Sequence, residues 1–299
     1  MPMTADTQTL NSSDEIFKTG IGRLNNTSEQ VREIPLDDLF PFENHPFLVR
    51  DDEAMRDTAE SIKKYGVLVP GIARPRPESG YELVSGHRRK RGCELAGKST
   101  MPVIVRNLDD SEATIIMVDS NLQRETLLPS EKAWAYRMKL EAMNHRGIKA
   151  EGFKPGALSV EALAEQAGES KSQIFRYIRL TELVPDLLDM ADEGKIAFNP
   201  AVELSYLKRK EQSELFDIME MYVATPSLSQ AQQMKKHSQA GKLTRYSIES
   251  ILSEPKKESV KVMLPGNRLH RYFPDTYTPK QMETVIIKLL EVWHKRQRG

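Results

Sequence analysis

The chain has 299 residues, 39% of them hydrophobic, and its 43 basic and 43 acidic residues give a net charge of +0. This length suits two or three modules with real cores, and the balanced charge excludes a uniformly basic protein, so local patches must meet any polyanion. A single cysteine, Cys93, excludes an internal disulfide, and no Cys/His cluster has the spacing of a zinc finger. No apolar run approaches the length of a membrane span and no apolar signal core follows Met1, so we expect a cytoplasmic protein with no membrane partner.

The first folded part is predicted to be an α/β module over residues 34–108, after a polar tail of residues 1–33. Met55, Ala59 and Ile62 form an apolar stripe that predicts a helix, and Gly66 is expected to end it. Strands are predicted for "VLVPGIARP", "YELVS" and "MPVIVR", with a turn at "PESG".

The stretch "SGHRRKRG", residues 85–92, follows the second predicted strand and opens a helix that is expected to end at Gly97. The free N–H groups and the dipole of a helix start face the same place as the arginine side chains, and this arrangement binds phosphate. Arg88 and Arg89 point in different directions on a helix, so only some of the four cations can hold one ligand. A solvated helix face is the alternative.

Residues 109–225 are predicted to be all-helical because their apolar residues recur at helical spacing. In "LLPSEKAWAYRMKLEAM", Ser130 is the predicted N-cap. The inward residues of this helix are Ala133, Tyr136, Leu140 and Met143.

A helix-turn-helix is predicted within "LSVEALAEQAGESKSQIFRYIRLTEL". Ser159 is expected to cap its first helix, the turn falls around Gly168, and Ser170 is expected to cap the second helix. The inward residues are Leu163, Ala167, Ile174 and Ile178.

The outward face of the second helix is polar or cationic, and such side chains contact base edges and phosphates. The predicted DNA-binding residues are Ser170, Lys171, Ser172, Gln173, Arg176 and Arg179. An ordinary helical hairpin with a solvated face is the alternative. Tyr177 is expected to pack in the core.

Residues 226–258 are predicted to be a polar linker with a helix or two, followed by a C-terminal segment of residues 259–299. There Thr278 is the predicted N-cap, Pro279 the first helical residue and Gln281 the capping-box partner. The apolar stripe of this helix is Met282, Ile286, Leu289 and Trp293. So short a segment cannot bury a large core alone, so we expect it to form a homodimer.

The order of these motifs resembles that of the ParB family of plasmid and chromosome partition proteins. The resemblance covers residues 34–207, from "SIKKYGVLVPGIARP" through "YELVSGHRRKRGCELAG" and "NLQRETLLPSEKAWAY" to the helix-turn-helix. It implies an α+β chain with a small ParB/sulfiredoxin-like α/β domain, an all-helical DNA-binding domain for a palindromic site, and a small C-terminal dimerisation segment. It also implies that CTP, bound with Mg²⁺ between the first two regions, closes the dimer as a clamp on double-stranded DNA at the nucleoid.

By this resemblance, the run "GHRR" holds the triphosphate of CTP. Gly86, Arg88, Arg89 and Arg91 match the family's Gly-Glu-Arg-Arg-x-Arg run, and Asn121 and Arg124 match its Glu-Asn-x-x-Arg motif. The predicted nucleotide-binding residues are Gly86, His87, Arg88, Arg89, Arg91, Asn121 and Arg124, with Asn121 also the predicted metal ligand.

Three positions depart from the family pattern. His87 and Ser120 stand where the two motifs have glutamate, and Val69 precedes Pro70 where the family often has glutamine. Because hard cations prefer carboxylate oxygen, the hypothesis is that nucleotide binding persists while CTP hydrolysis is slow or absent. No catalytic residue is assigned.

The tail contains "KTGIGRLNN", in which Ile21, Arg23 and Leu24 resemble the short peptide that engages a ParA-type ATPase. An inert tail is the alternative.

Three functions therefore compete. The first is a partition protein that binds a centromere-like DNA site and uses CTP as a switch. The second is a local DNA-binding regulator of a mobile element that does not form a clamp, an alternative raised by His87 and Ser120. The third is a nuclease or phosphotransferase, which ranks last because no cluster of acidic metal ligands accompanies the arginine run.

Overall fold

The structure is a computed structural model that describes residues 30–124, 126–145, 157–254, 269, 271–274 and 276–297. By its internal contacts the chain separates into two compact units, Met1–Ser253 and Glu254–Gly299. The predicted peptide of Ile21, Arg23 and Leu24 lies outside the described residues.

A five-stranded mixed sheet begins the described chain. Its strands are β1 (Val31–Pro35), β2 (Leu39–Pro41), β3 (Gly71–Pro75), β4 (Tyr81–Ser85) and β5 (Thr100–Val105). They lie in the order β1-β5-β3-β4-β2, with β1–β5 and β3–β4 antiparallel and β3–β5 and β2–β4 parallel. The three predicted strands are β3, β4 and β5, so the predicted α/β module is confirmed.

Two helices of the module, α1 (Glu53–Tyr65) and α2 (His87–Leu95), pack against each other. A Cβ atom on Gly92 would lie 2.8 Å from Ile62 Cδ1, so glycine allows the close approach of these helices. Gly66 ends α1 with a φ of +74°, as predicted. Cys93 is fully buried, and burial raises the pKa of its thiol, which indicates a packing role.

The rest of the first unit is helical, as predicted. Its helices are α3 (Asp110–Leu122), α4 (Pro129–His145), α5 (Ala157–Ala167), α6 (Lys171–Arg179), α7 (Pro185–Asp192), α8 (Phe198–Leu204), α9 (Arg209–Tyr222), α10 (Leu228–Gln239) and α11 (Arg245–Ser253). The α+β fold class is therefore confirmed.

The helix-turn-helix is formed by α5 and α6. Ser170 caps α6 by accepting from the Gln173 N–H at 3.1 Å, and Gly168 makes the turn with a φ of +64°. Leu163 and Ile174 are fully buried in a cluster with Tyr136 of α4. The Tyr177 ring contacts the rings of Tyr136 and Phe198, at centroid distances of 5.7 and 4.7 Å, so it packs as predicted.

Two predicted helix caps are wrong. Helix α4 begins at Pro129, so Ser130 lies inside its first turn, where its N–H donates to Asp192 Oδ1 at 2.9 Å. Proline is favoured at the first helical position, so Pro129 marks the start of this helix better than Ser130 does. Helix α5 begins at Ala157, which places Ser159 within the helix.

The segment predicted as a polar linker with a helix or two, residues 226–258, contains two helices. Helices α10 and α11 occupy Leu228–Ser253 with a short break, and their apolar residues join the main core of the helical part. The buried residues of this segment include Ala231, Met234, Ile248 and Ile251. Some polar residues of this segment are themselves buried, which obscures its apolar periodicity: the Gln230 amide donates to Ile251 O at 2.8 Å.

A buried lysine joins three helices. Lys139 of α4 is 2% exposed, and its ammonium group donates to Asp119 of α3 and to Gln166 of α5. Paired and hydrogen-bonded partners are what allow a charge to be buried. Lys139 therefore connects the helix that follows the sheet domain with the first helix of the helix-turn-helix.

The second unit contains one described long helix, α12 (Pro279–Gln297). Thr278 and Gln281 form the predicted capping box, with the Thr278 N–H donating to Gln281 Oε1 at 2.8 Å. Several large apolar residues of α12 are exposed: Ile287, Leu289, Leu290, Val292 and Trp293. Among the described residues, no helix has the length and apolar character needed to cross a membrane.

Candidate nucleotide and nucleic-acid sites

The turn between β4 and α2 requires glycine at residue 86. Gly86 has a φ of +110°, and a Cβ atom there would lie 3.1 Å from Met101 Cε and 3.3 Å from Gly71 Cα. The first N–H groups of α2 have no acceptor within the helix, so the turn directs donors and the positive end of the helix dipole outward. This is the phosphate-binding geometry that the sequence predicts.

His87 is neutral and lies against a second histidine. Its Nε2 atom accepts from the Phe42 N–H at 3.4 Å, and its ring centroid lies 3.9 Å from that of His45. Burial lowers the pKa of His87 to about 3, helped by the charges of His45, Arg124, Lys90 and Arg89. His87 therefore contributes no positive charge to the site at neutral pH.

His45 was missed by sequence reasoning. Its Nδ1–H donates to Phe47 O at 2.8 Å, and its Nε2 atom is buried without a hydrogen-bond partner among the described residues. Burial is the main cause that lowers the pKa of His45. Only a lone histidine in "NHPF" marks this position in the sequence, and that is no signal for a site.

The three arginines of α2 separate, as their positions on a helix predict. Arg88 forms a long ion pair with Asp52, at 3.5 Å. Arg89 donates to the carbonyl oxygens of Val69 and Pro70, both at 2.6 Å, and burial lowers its pKa. Arg89 thus fixes the loop before β3, whereas the guanidinium of Arg88 is only weakly engaged.

Arg91 is held by two carboxylates. It donates to both oxygens of Asp51, at 2.9 and 2.5 Å, and to Glu94 at 2.9 Å. The hydrogen bond to Asp51 raises the pKa of Arg91, and the same bond lowers the pKa of Asp51. The predicted role of Arg91 in nucleotide binding requires that it exchange these partners for phosphate.

Arg124 approaches the site from the end of α3. Its guanidinium lies 5.8 Å from the centroid of the Phe47 ring. Burial is the main cause that lowers the pKa of Arg124, and the positive charge of Arg88 is the next. The positive charge of Arg88 thus disfavours the charged form of Arg124, and an anion bound near both would offset this effect.

Asn121 is buried near the end of α3, where its backbone carbonyl oxygen accepts from the Arg124 N–H at 3.0 Å. Its amide Nδ2 donates to Met117 O at 2.8 Å and to Ser120 Oγ at 3.4 Å, which leaves the amide oxygen as the group it can offer to a ligand. Asn121 is 5% exposed.

Glu131 holds the loop that carries His45. Its two carboxylate oxygens accept from the Leu48 N–H at 2.8 Å and from the Leu128 N–H at 3.0 Å. The sequence gives no signal for this role, because a glutamate in the first turn of a helix is ordinary.

The residues present do not fit a Mg²⁺ ion held by protein carboxylates. No group of three His, Cys, Asp or Glu side chains with metal-binding geometry occurs in the described part of the chain. Asp52 caps α1 and pairs with Arg88, and both oxygens of Glu131 accept backbone N–H groups. The predicted metal ligand, Asn121, supplies one amide oxygen at most.

The buried His87 predicts acid sensitivity. In the unfolded chain His87 has an ordinary pKa near 6.5, and in the folded chain about 3, so the unfolded state binds more protons between these values. The contribution of His87 to the free energy of unfolding is therefore complete above about pH 6.5. It decreases as the pH falls, by about 1.4 kcal/mol per pH unit for one histidine. Urea unfolding between pH 7 and 5 should show a shallower loss in His87→Gln than in the wild type.

The matched control for this measurement is His294→Gln, which changes an exposed histidine of α12. We expect its profile to follow the wild type. Equal slopes in His87→Gln and the wild type would contradict the assignment of a neutral, buried His87.

The predicted DNA-binding residues divide into two groups on α6. Ser170, Lys171 and Ser172 are exposed at its N-terminal end, where Lys171 pairs with Glu161 of α5. Gln173 accepts from Arg176 at 3.4 Å. This end of the helix is the one that meets base edges in helix-turn-helix proteins.

The two predicted arginines lie farther along α6 and contact α8 and the residues after it. Arg176 donates to Asn199, and its guanidinium lies 5.2 Å from the centroid of the Phe198 ring. Arg179 donates to Ser205 O at 2.7 Å. These contacts position both guanidinium groups beside the exposed face of α6.

The fold and its two cationic sites define the class of protein. Residues 22–122 match the family model of the ParB N-terminal domain. The chain is 30% identical, over 73% of its length, to the chromosome-partitioning protein Spo0J of Thermus thermophilus and covers 77% of that protein. The chain therefore belongs to the ParB family.

Other relatives carry related names. The nucleoid occlusion protein of Listeria monocytogenes is 32% identical over 68% of this chain, and the match spans 64% of that relative's length. Two crystal structures of C-terminally truncated ParB from Caulobacter crescentus also match. The complex with the centromeric parS site matches 75% of this chain, at 23% sequence identity and a TM-score of 0.42. The complex with CTP-γ-S matches 68% of this chain, at 26% sequence identity and a TM-score of 0.30. The two matches span 100% and 98% of the crystallised chains, respectively.

Proposed function

We propose that this chain is a partition protein that binds a specific site in double-stranded DNA and uses CTP as a switch that retains it on the DNA. The observation that carries the proposal is the cluster at the start of α2. There a glycine turn and the N-terminus of a helix lie beside Arg88, whose positive charge contributes to lowering the pKa of Arg124. Such a cluster is stabilised by a polyphosphate.

The choice of CTP among nucleotides rests on the family resemblance of "GHRR" and "NLQR". The DNA function rests on the exposed polar end of α6 and on membership of the ParB family. Together they support action on bacterial DNA in the cytoplasm, at the nucleoid. A ParA-type ATPase that engages Ile21, Arg23 and Leu24 remains part of the proposal.

Retention on closed DNA tests the switch. A bound site is first selected from random duplexes, and then the protein is loaded on circular and linear DNA carrying that site, with CTP, ATP, GTP, UTP or no nucleotide. CTP-dependent retention on circles through a high-salt wash, with release after the circle is cut, supports a clamp. Equal retention on both DNA forms, or no effect of CTP, would count against it.

Local regulation without a clamp is the second candidate. His87 is neutral and Ser120 donates its hydroxyl to Met117 O at 2.9 Å, so neither supplies the charge of the glutamate it replaces. In this case protein in cells stays confined to its DNA site, whereas a clamp spreads over neighbouring DNA. Mapping of bound protein around the site separates the two functions.

Hydrolysis is expected to be slow, because the described site offers no carboxylate that is free to hold a metal ion. Rapid CTP hydrolysis stimulated by the specific DNA site would contradict this part of the proposal. No step of the switch proposed here requires hydrolysis.

The C-terminal unit is proposed to form the homodimer. The exposed apolar residues of α12 bury little surface within one chain, and a second copy is the partner that a symmetric helix pair would supply. Removal of residues 260–299 is therefore expected to give a monomer by light scattering, while the full chain is a dimer. A truncated chain that remains dimeric would overturn this assignment.

A further inference from the structure

Helix α6, the second helix of the helix-turn-helix, exposes one large apolar side chain. Phe175 is 54% exposed, while its neighbour Ile174 is fully buried. An isolated exposed phenylalanine needs no explanation on most surfaces. Its place on α6 is what makes it informative.

Phe175 shares a face with the predicted DNA contacts. Ser172, Phe175, Arg176 and Arg179 stand at positions i, i+3, i+4 and i+7 of one helix. Residues at this spacing project from the same side of an α-helix. The opposite side of α6 is the buried one, since Ile174 and Ile178 pack against α4 and α5.

The rest of this face is polar and cationic. Lys171 and Ser172 are exposed near its start, and Arg176 and Arg179 are positioned beside it by Asn199 and Ser205. A surface with this charge is complementary to a phosphate backbone, which brings α6 to DNA and Phe175 with it. A protein partner for the same face would have to neutralise these cations.

A phenyl ring has no hydrogen-bonding group, so it cannot recognise the donors and acceptors of a base pair. The major groove offers one apolar feature to such a side chain, the 5-methyl group of thymine. Phe175 lies one turn from Ser172 and Lys171, near the end of the helix that meets base edges.

We propose that Phe175 is a specificity-determining residue that recognises a thymine through its 5-methyl group in the major groove. The inference rests on the proposed DNA function and adds one base preference to it. Because 5-methylcytosine carries the same methyl group at the same place in the groove, a methylated cytosine substitutes for this thymine in part.

Removal of single methyl groups from the DNA tests the inference. After a bound site has been selected, each thymine is replaced singly by deoxyuridine, which lacks only the methyl group. Affinities of the wild type and of Phe175→Ala are measured by fluorescence anisotropy at one salt concentration. At one thymine of each half-site the wild type is expected to lose about fourfold in affinity, which corresponds to one buried methyl group, and Phe175→Ala less than twofold.

The control is Tyr246→Ala, which removes an exposed aromatic side chain from α11 in the same unit. It should respond to deoxyuridine as the wild type does. Thermal melts check that Phe175→Ala is folded, and Phe175→Leu, which keeps an apolar contact, should retain part of the deoxyuridine effect.

Three results overturn the inference. Deoxyuridine has no effect at any position in the wild type, or it has the same effect in Phe175→Ala, or Phe175→Ala changes the oligomeric state while DNA affinity stays intact. A wild type that selects no DNA site at all overturns the proposed function as well. Selective binding without any methyl dependence leaves the proposed function standing and removes only the role of Phe175.

Discussion

Replacement of both Arg88 and Arg124 by glutamine is expected to weaken CTP binding by at least about 100-fold, because each lost charge-assisted hydrogen bond removes about 1.5–3 kcal/mol. These two guanidinium groups are the least engaged of the arginines around the site. Arg88 has only the 3.5 Å pair with Asp52, and no salt bridge to Arg124 is found among the described residues. Calorimetry with CTP, and with ATP, GTP and UTP, measures the effect.

The matched control is Arg76→Gln. Arg76 stacks on the Phe40 ring at 4.0 Å and pairs with Glu78, outside this site. We expect unchanged CTP binding in this variant. The double variant with Arg88→Lys and Arg124→Lys keeps both charges but lacks the planar guanidinium groups. We expect it to bind CTP with intermediate affinity. Full binding in the double glutamine variant would show that the nucleotide lies elsewhere.

The second large expected effect is a loss of stability when the Asp119 carboxylate, which pairs with Lys139, is removed. Asp119→Ala leaves an ammonium group that is 2% exposed with only Gln166 as partner. Breaking a buried pair in this way is expected to lower the free energy of unfolding by about 3 kcal/mol. Urea unfolding at pH 7, followed by circular dichroism, measures the change.

Lys139→Met is the matched variant, because it removes the buried charge and keeps a side chain of similar length. Asp119 is 33% exposed at its side chain, so its carboxylate can return to water. We expect a loss below about 1.5 kcal/mol for Lys139→Met, and the double variant Asp119→Ala with Lys139→Met should be more stable than Asp119→Ala alone. The reverse order of the two single variants would contradict the assigned pair.

The sequence allowed much of the fold to be predicted, for reasons that particular residues show. Gly66, Gly86 and Gly168 all have positive φ values, and each stands where the apolar pattern stops or changes period. Ser170 and Thr278 follow simple capping chemistry. These signals are local, so they survive in a single sequence.

The remaining features depend on contacts between distant residues. Glu131 binds the N–H of Leu48, 83 positions away, and His45 stacks on His87. Neither pairing leaves a mark in a local pattern. The packing of α10 and α11 into the core is a related case, since Gln230 is buried through a hydrogen bond to Ile251 that only the folded chain provides.

Within the candidate site, the arginines of the run diverge, as their helical positions predict. Arg89 and Arg91 donate hydrogen bonds to protein groups, while among the described residues Arg88 has only its 3.5 Å pair with Asp52 and its charge lowers the pKa of Arg124. Helical spacing predicts that neighbouring arginines diverge. It does not predict which of them finds a carboxylate, because Asp51 and Asp52 come from a different element.

Helix α4 has a consequence for communication within the molecule. It spans 17 residues, about 25 Å. Near its start, Glu131 accepts a hydrogen bond from the loop of His45, and farther along, Tyr136 packs on α6 through Ile174. Because one helix contacts both the loop of His45 and α6, we expect a ligand that displaces that loop to act on α6 through α4.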